Sequence, residues 1–574
     1  MGNKEIAQIF DEMGSLLQIK GENPFKIRAY QNAVRIIEDL GQPLRELYER
    51  DELKTIDGFG KAITEKTAEF FETGKVSAHE KLKGEFPEGI LDLLKVNGMG
   101  PKTVKLVYEE LGVSSIDDLK QAAEAGKLQS LPKMGKKSEE KILKGIANVQ
   151  QSSGRFTLGV AAPIARSILE RVKAVKGVWQ ADIAGSLRRG RETVGDVDIL
   201  VSAKNAEAVM QEFLATENIR DVLAQGATKS SILLECGLQV DLRVVEKDAF
   251  GAALQYFTGS KEHNVKLRER AVKQKLKVNE YGVYETGSET LVAGKTEESV
   301  YQCLGLAWVP PELREGRDEI QQAQNGTLPE LIEAKHIRSA LHNHTTDSDG
   351  FLSLEELANQ AKARGYAFIA VTDHSGSLGV ANGLSPERLK RQIEQVREFN
   401  ETVKGIEVLA GTEVDIRADG RLDFDDDLLK ELDVVIASVH ASFEQLKDKM
   451  TARILRAIEN PYVDIIAHPT GRLIGRRPPI EFDEEAVFAK AAETQTVMEI
   501  NCYPARLDLN DVHIRQAKAH GVLFSINTDT HKVEHFDHLE LGVKMARRGG
   551  LSADNVINSM TCKQYLSWKK KKTR

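Results

Sequence analysis

The stretch AGSLRRGRETVGDVDILV, residues 184–201, decides how this chain is read. It ends in Asp196-Val197-Asp198 followed by Ile199, Leu200 and Val201, an apolar, β-branched run that predicts a strand. Side chains alternate along a strand, so Asp196 and Asp198 point to one face and Val197 to the other. Two carboxylates at one sheet edge suit Mg²⁺, which takes oxygen ligands, keeps several waters and is completed by substrate phosphates. A third carboxylate is expected, and Asp241 in LQVDLRVV (238–245) is the polar residue of a second apolar run that a neighbouring strand would supply. The Gly185-Ser186 turn and Arg189 precede the pair, offering triphosphate oxygens a hydroxyl and a permanently charged planar donor. An isolated Asp-x-Asp is most often a solvated strand edge. The glycine-serine turn, the arginines and Asp241 together point instead to nucleotidyl transfer, with two divalent ions serving a primer 3′-hydroxyl and a leaving pyrophosphate.

The rest of the composition bounds that reading. A chain of 574 residues predicts three or four domains at about 150 residues each. The formal net charge of -8 excludes a coat of positive charge, so DNA contacts are expected to be local: backbone amides, metal ions and selected Lys/Arg. Cys236, Cys303, Cys502 and Cys562 are scattered without Cys-x-x-Cys spacing, against a disulfide framework or a structural zinc cluster. No apolar run approaches the ~18 residues of a membrane span, and MGNKEIAQIFDEM lacks a signal-peptide core, so a cytoplasmic protein is expected. The one basic run, WKKKKTR (568–574), reads equally as a solvated end or a DNA contact.

On these residues the chain resembles the family X DNA polymerases, of which DNA polymerase beta is the familiar member. LQYFTGSKEHNVKLRERA (254–271) is similar to that family's thumb motif. The resemblance implies that Tyr256 and Phe257 discriminate against ribose, that Gly259 and Ser260 form a turn, and that Asn264 and Arg268 touch the minor-groove side of the nascent pair. It places Gly185, Ser186, Arg189 and Gly195 about the nucleotide. Arg155 in GRFTLGVAAPIA (154–165) resembles the family's triphosphate-binding arginine, and Arg243 the arginine beside the third aspartate.

A repeat in the first third supports a DNA reading independently. IDGFGKAITEKTAEFF (56–71), VNGMGPKTVKLVYEEL (96–111) and LPKMGKKSEEKILKGI (131–146) each set a glycine turn before a Lys-rich helical pattern. They look like helix-hairpin-helix motifs, in which glycines such as Gly58, Gly60, Gly98 and Gly100 bring helix N-terminal amides against a phosphate without reading bases. The third has Lys133 where the first glycine would sit. The polymerase beta resemblance makes the first unit a domain that holds a gap's 5′-phosphate, with Lys26 and Tyr30 of NPFKIRAY at matching positions and Lys66 at the position of a Schiff-base nucleophile that removes deoxyribose phosphate. Phe25 and Ala62 depart from that pattern.

Residues 310–335, PPELREGRDEIQQAQNGTLPELIEAK, read as a connector, after which short apolar runs alternate with helical stretches as in a parallel βα barrel. The runs IRSALHNH, FIAVTDH, VLAGTE, DVVIASVH, DIIAH and LFSINTDTH end at or just before His342, His344, His374, Glu413, His440, His468, Asp529 and His531, and Asp349 lies in the TTDSDG turn. Barrel active sites form at the C-terminal ends of strands, so this pattern converges nine ligands on one mouth, and imidazole with carboxylate suits Zn, Mn or Fe. The region resembles the PHP (polymerase and histidinol phosphatase) domain, which implies a metal-dependent phosphoesterase. Arg472, Arg476 and Arg477 of GRLIGRRPP (471–479) read either as a phosphate clamp or as a solvated loop.

The expected architecture is therefore α+β and α/β in several domains. Residues 1–80 form a small DNA-end-binding, lyase-like helical domain and 81–150 a helix-hairpin-helix fingers domain. A nucleotidyltransferase palm spans 151–253, a thumb 254–315, a linker 316–335 and a distorted (β/α)7 PHP barrel 336–574. The expected function is templated gap filling in DNA repair with 3′-5′ exonuclease activity in the barrel, together with abasic-site endonuclease or deoxyribose-phosphate lyase activity. The alternative is a small-molecule phosphoesterase with a vestigial polymerase half. Mg²⁺ or Mn²⁺ is expected at the palm and up to three Mn²⁺ or Zn²⁺ at the barrel. The partners are gapped or primed duplex DNA and dNTPs, with no membrane and a monomeric chain.

Overall fold

The computed structural model describes residues 3–39, 44–56, 58–87, 89–96, 98–132, 134–151 and 154–572. Its contacts divide the chain into two units, residues 1–154 with 235–237, and residues 155–234 with 238–574.

The first unit is helical among its described residues. Helices Asn3–Lys20 and Pro24–Asp39 bury Phe10, Met13, Tyr30, Ala33 and Ile37 in a core shared by the rest of the unit. The repeated motifs fold alike. The N–H of Phe59 donates to Ile56 (3.0 Å), that of Met99 to Val96 (2.9 Å) and that of Met134 to Leu131 (3.1 Å). Gly60, Gly100 and Gly135 then accept the first bonds of helices Lys61–Thr73, Pro101–Leu111 and Lys136–Gln151. Gly58 and Gly98 turn the chain at φ +89° and +93°, a region that penalises a Cβ. Lys133, the departure in the third motif, lies outside the described residues.

In the second unit the first strands are β1 (Phe156–Thr157), β2 (Val178–Ile183), β3 (Thr193–Val194), β4 (Asp196–Ala203), β5 (Ile219–Gln225), β6 (Lys229–Leu234) and β7 (Gln239–Val244). β1 pairs with β3, and the others form one sheet in the order β2-β4-β7-β6-β5, with β4 and β7 parallel. The pleat of β4 sorts its residues. Val197, Ile199 and Val201 enter the main core with Ala161, Ala165 and Ile168 of helix Leu158–Lys173. Leu200, on the other face with Asp196 and Asp198, packs with Ala184, Phe250, Ala253 and Leu254. The carboxylates thus stand at the end of a face whose continuation is covered.

Helices Phe250–Thr258 and Lys261–Lys273 lead into a small sheet of β8 (Leu276–Asn279), β9 (Gly282–Glu285) and β10 (Leu291–Ala293), packed with helix Glu297–Cys303 around Leu267, Val283, Val300 and Tyr301. The stretch expected as a connector carries helix Glu319–Asn325. The helix and Leu331 pack into the thumb core, while Ile332 is buried on the barrel side, where its N–H donates to Leu551 O (2.9 Å).

The barrel strands are β11 (Ser339–Ala340), β12 (Phe368–Val371), β13 (Glu407–Asp415), β14 (Val434–Ser438), β15 (Ile465–Ile466), β16 (Val497–Asn501) and β17 (Phe524–Asn527). They run parallel in sequence order, and the bridge between Asn343 and Thr530 draws the first and last together. Palm and thumb are joined to the barrel by buried ion pairs. Arg548 donates to Glu315 and to the Arg189 carbonyl on one side and to Asp511 on the other (2.8 Å each), and Arg472 meets Glu192 at 2.6 Å.

The basic C-terminal run ends helix Cys562–Lys572, whose Lys569 pairs with Asp464 (2.6 Å) and whose Lys572 donates to the Val463 carbonyl. Both acceptors precede β15, so these lysines lie at the end of the barrel opposite the metal-type residues. No helix among the described residues is long and apolar enough to cross a membrane.

Candidate active sites

The first site is built on β4 and β7. Their parallel register sets Asp198 directly beside Asp241, with Asp196 one pleat further along β4. Burial, and then the neighbouring Asp196 and Asp241, push the Asp198 carboxyl up to about 7. Burial and Asp241 likewise raise Asp196. Arg243 and Lys229 act against the shift at Asp198 and Arg155 against that at Asp196, without cancelling either. This is an excess of negative charge with oxygen donors, which a divalent cation fits. Gly185 sits at φ +65°, and a Cβ there would overlap Asp198 Oδ2, so the turn closes on the carboxylate only with glycine. Ser186 is half-buried in the single turn Gly185–Arg188 that follows.

The arginines divide. Arg155 is exposed and bonds Thr193 through Oγ1 (3.0 Å) and the carbonyl (2.7 Å), placing its charge near Asp196 and Gly195. Arg243 lies over the Phe257 ring at 4.7 Å. Arg189 is taken up by Glu315 (3.0 Å) and the Thr258 carbonyl (2.6 Å), inside the junction with the barrel. Tyr256 and Phe257 meet edge to face at 5.2 Å at the end of helix Phe250–Thr258. Gly259 turns the chain at φ +67°, and Ser260 Oγ caps helix Lys261–Lys273. Asn264 donates to the Tyr256 carbonyl (2.8 Å) and accepts from Gln255 (2.6 Å), bracing the aromatic pair, while Arg268 is half-buried on the same helix.

In the first unit, Lys66 is half-buried and reaches the Ala62 carbonyl at 3.4 Å. Lys26 is exposed beside Glu22 (3.8 Å), and Tyr30 is buried against Phe10 with ring centroids 5.8 Å apart. A Cβ on Gly60 or Gly100 would meet nothing, so the helix starts they cap are open.

The second site gathers all nine expected barrel residues. His342 and His344 follow β11, His374 follows β12, Glu413 lies in β13, His440 follows β14, His468 follows β15, and Asp529 and His531 follow β17. Three overlapping groups have ligand atoms all within 4.8 Å of one another: His344, Asp349, His374 and His531; His342, His344 and Asp529; and His374, Glu413 and His440. Glu413 links them. Its Oε2 faces His374 (2.8 Å), His342 (3.3 Å) and His344 (3.6 Å), and its Oε1 faces His468 (3.1 Å) and His440 (3.4 Å). Although buried, His342 Nε2, both ring nitrogens of His344, and Nδ1 of His374 and of His468 make no hydrogen bond. Buried nitrogens that make no hydrogen bond are costly, and imidazoles that face shared carboxylates without bonding them fit divalent metal ions. Burial acts against charge on His440 and His531, yet Glu413 and Asp415 lift the first to about 10, and Asp349 and Asp529 the second to about 9. Burial, His531 and His374 push His344 down to about 3.

Five segments of the chain match known families. Residues 161–252 match the DNA polymerase beta palm, 253–315 the DNA polymerase beta thumb and 340–499 the PHP domain. Residues 1–76 match a helix-hairpin-helix domain and 90–148 a SAM-like helix-hairpin-helix tandem. DNA polymerase/3'-5' exonuclease PolX of Bacillus subtilis (strain 168) is 40% identical over 573 residues, 100% of both chains. The chain belongs to the family X DNA polymerases that carry a PHP domain. The PHP half has relatives of its own. A probable phosphatase of Thermoanaerobacter sp. (strain X514) is 32% identical over 244 residues, 40% of this chain and 95% of that protein. A probable phosphatase of Acetivibrio thermocellus is 28% identical over 247 residues, 41% of this chain and 96% of that protein.

Within this family X polymerase the structure also singles out residues that the sequence reading passed over. Glu499 of β16 accepts from His342 Nδ1 (2.7 Å) and from the His468 N–H (2.7 Å), and Asp415 of β13 holds His440 Nδ1 at 2.6 Å. Each is a charged residue in an apolar strand, the signal that identified Asp241. Arg506 lies close enough to depress His468 further, after burial, and its Nη1 is buried without a partner. Of the GRLIGRRPP arginines, Arg472 is buried on the Arg506 and Leu507 carbonyls and Glu192, Arg477 covers the Phe443 ring at 3.9 Å, and Arg476 is exposed.

Proposed function

We propose that this family X polymerase fills short gaps in DNA during repair at the Asp196/Asp198/Asp241 centre and trims DNA 3′ ends at the barrel mouth. The observation that carries the reading is the coexistence, in one chain, of three palm carboxylates on adjacent strands and a barrel cluster of eight residues that His468 joins through Glu413. Cations held by these groups would supply a Lewis acid for phosphate oxygens and charge compensation for the leaving oxygen. Mg²⁺ or Mn²⁺ suits the all-carboxylate palm and Mn²⁺ or Zn²⁺ the imidazole-rich barrel.

The protein's own groups do the positioning. Gly185 lets the backbone close over Asp198, Arg155 and Arg243 bring positive charge to the triphosphate, and the Tyr256–Phe257 pair, braced by Asn264, forms a wall for the sugar. At the barrel, Glu499 and Asp415 fix the tautomers of His342 and His440 so that each presents Nε2 to the cluster. The helix-hairpin-helix turns serve the DNA backbone through Gly58, Gly60, Gly98 and Gly100, with Lys26 as a phosphate contact. On the polymerase beta resemblance alone, Lys66 would serve lyase chemistry and the barrel incision at abasic sites. The setting is the cytoplasm, with the chain acting as a monomer.

The relatives that match only the barrel are probable phosphatases, which keeps a small phosphate ester as the second reading for that half. The deciding experiment places a 5′-labelled primer on a one-nucleotide-gapped duplex with Mn²⁺, with and without dNTPs. Extension with dNTPs and shortening without them is the expected result. Extension alone reassigns the barrel to another phosphoester, and no change on DNA rejects the proposal.

A further inference from the structure

Two large aromatic side chains remain in solvent at the barrel mouth. Phe351 is 67% exposed and Tyr503 is 38% exposed. Both are built off the same metal-type residue. The Phe351 N–H donates to the His531 carbonyl (2.8 Å). The Tyr503 ring packs on His535 with centroids 5.8 Å apart, and His535 Nδ1 accepts the His531 N–H (3.2 Å). Tyr503 is also fixed from below, since its N–H donates to Asn501 Oδ1 (3.0 Å) and Asn501 Nδ2 donates to Asp529 (3.1 Å). His538 flanks the tyrosine edge to face at 5.9 Å and stacks on His535 at 5.3 Å. Beside the phenylalanine, exposed Lys532 holds its ammonium 4.5 Å from the Phe351 ring centre.

Aromatic rings held in water by a rigid backbone, next to a phosphoester site and an exposed ammonium, are what an unpaired nucleotide covers. Every base has a π-face to stack, and the phosphate takes the cation. A small phosphate monoester without a base gains nothing from such a surface. We propose that Phe351, Lys532 and Tyr503 form a shelf that receives the unpaired nucleotides of a single-stranded DNA 3′ end and sets its terminal phosphodiester over the His/carboxylate cluster. This rests on the reading of the barrel as a DNA 3′-end nuclease. The shelf makes frayed or mismatched ends the preferred substrate, because paired bases are already stacked.

The test uses the full chain with Mn²⁺ and 5′-labelled single strands, comparing wild type with Phe351→Ala, Tyr503→Ala, their combination, and the conservative pair Phe351→Trp and Tyr503→Phe. Each alanine should raise KM about tenfold, the pair more, with kcat moving far less. The conservative variants should stay near wild type. A 2-aminopurine at the penultimate position, bound with Ca²⁺ in place of Mn²⁺, should be quenched by wild type and not by the double variant. An unchanged KM, or quenching that survives in the double variant, overturns the shelf. So does a collapse in kcat at constant KM, which would mean that these residues only hold His531. If wild type hydrolyses bis(p-nitrophenyl) phosphate but leaves single strands intact, the nuclease reading itself fails, and the shelf falls with it.

Discussion

The two metal-type sites of this chain solve opposite electrostatic problems. In the palm, three carboxylates of like charge stand on two adjacent inner strands, and Asp198 is raised to about 7 by burial and then by its two neighbours. In the barrel, carboxylates alternate with imidazoles, so that Glu413 alone is approached by five histidines. A self-repelling open site is completed when a nucleotide arrives with its cation, whereas a charge-balanced buried site is built to keep its ions. On the proposed reading, one chain carries a site that assembles with substrate and one that precedes it.

The comparison breaks most visibly under paired substitutions. Asp196→Ala with Asp198→Ala should remove extension by roughly a thousandfold or more while 3′ shortening persists, and His342→Ala with His344→Ala should do the reverse. Gel assays on a primed duplex measure both, with circular dichroism and a DNA-binding assay checking the fold. Loss of both activities in either folded variant would mean that the sites are not independent.

Metal retention is the next test. After gel filtration in metal-free buffer, elemental analysis should find ions retained by the wild type and by the Asp196→Ala/Asp198→Ala variant alike, because the palm contributes none without nucleotide. Glu499→Gln weakens the acceptor that orients His342 and should lower barrel metal affinity by about 10–100-fold, read by chelator competition. Extension should be untouched.

How much of this was legible follows from how local each signal is. The pleat of β4 and the strand-end histidines follow from period-two alternation and from the barrel rule, which need no tertiary knowledge. The pairing of Asp198 with Asp241 needed a neighbouring strand, and the apolar run around Asp241 supplied it. The fate of individual arginines was not legible. Arg472 and Arg189 look like any basic loop residues, yet Glu192, Glu315 and a set of carbonyls from distant segments absorb them into the palm–barrel junction. Glu499 and Asp415 escaped because their value lies in which imidazole nitrogen they face. The connector hid its helix because Ile320 and Ala323 of Glu319–Asn325 pack into the thumb core with Leu267, Val300 and Tyr301, partners that the local sequence does not describe.

The smallest effect sharpens the comparison by asking which buried carboxylates are sites at all. Glu297 is buried like Glu413, but its charged partners are guanidinium groups: Arg188 at 2.8 and 2.9 Å and Arg314 at 2.5 Å. Burial alone would raise its carboxyl, and the two arginines hold it down at about 2 instead. Arginine keeps its proton at every accessible pH and takes no metal, so this pair is structural where imidazoles would leave open nitrogens. A carboxyl depressed from 4.5 stabilises the fold above that value, and the contribution is lost as pH falls through about 2. Glu297→Gln should therefore cost about 3 kcal/mol at pH 7, because Arg314 is left buried without its partner charge. The gap to wild type should narrow steadily below pH 4.5 in denaturant melts followed through Trp308, whose Nε1 donates to Glu297. Barrel metal content should not move. A gap that stayed constant down to pH 2 would remove the ionic account of Glu297 and leave packing in its place.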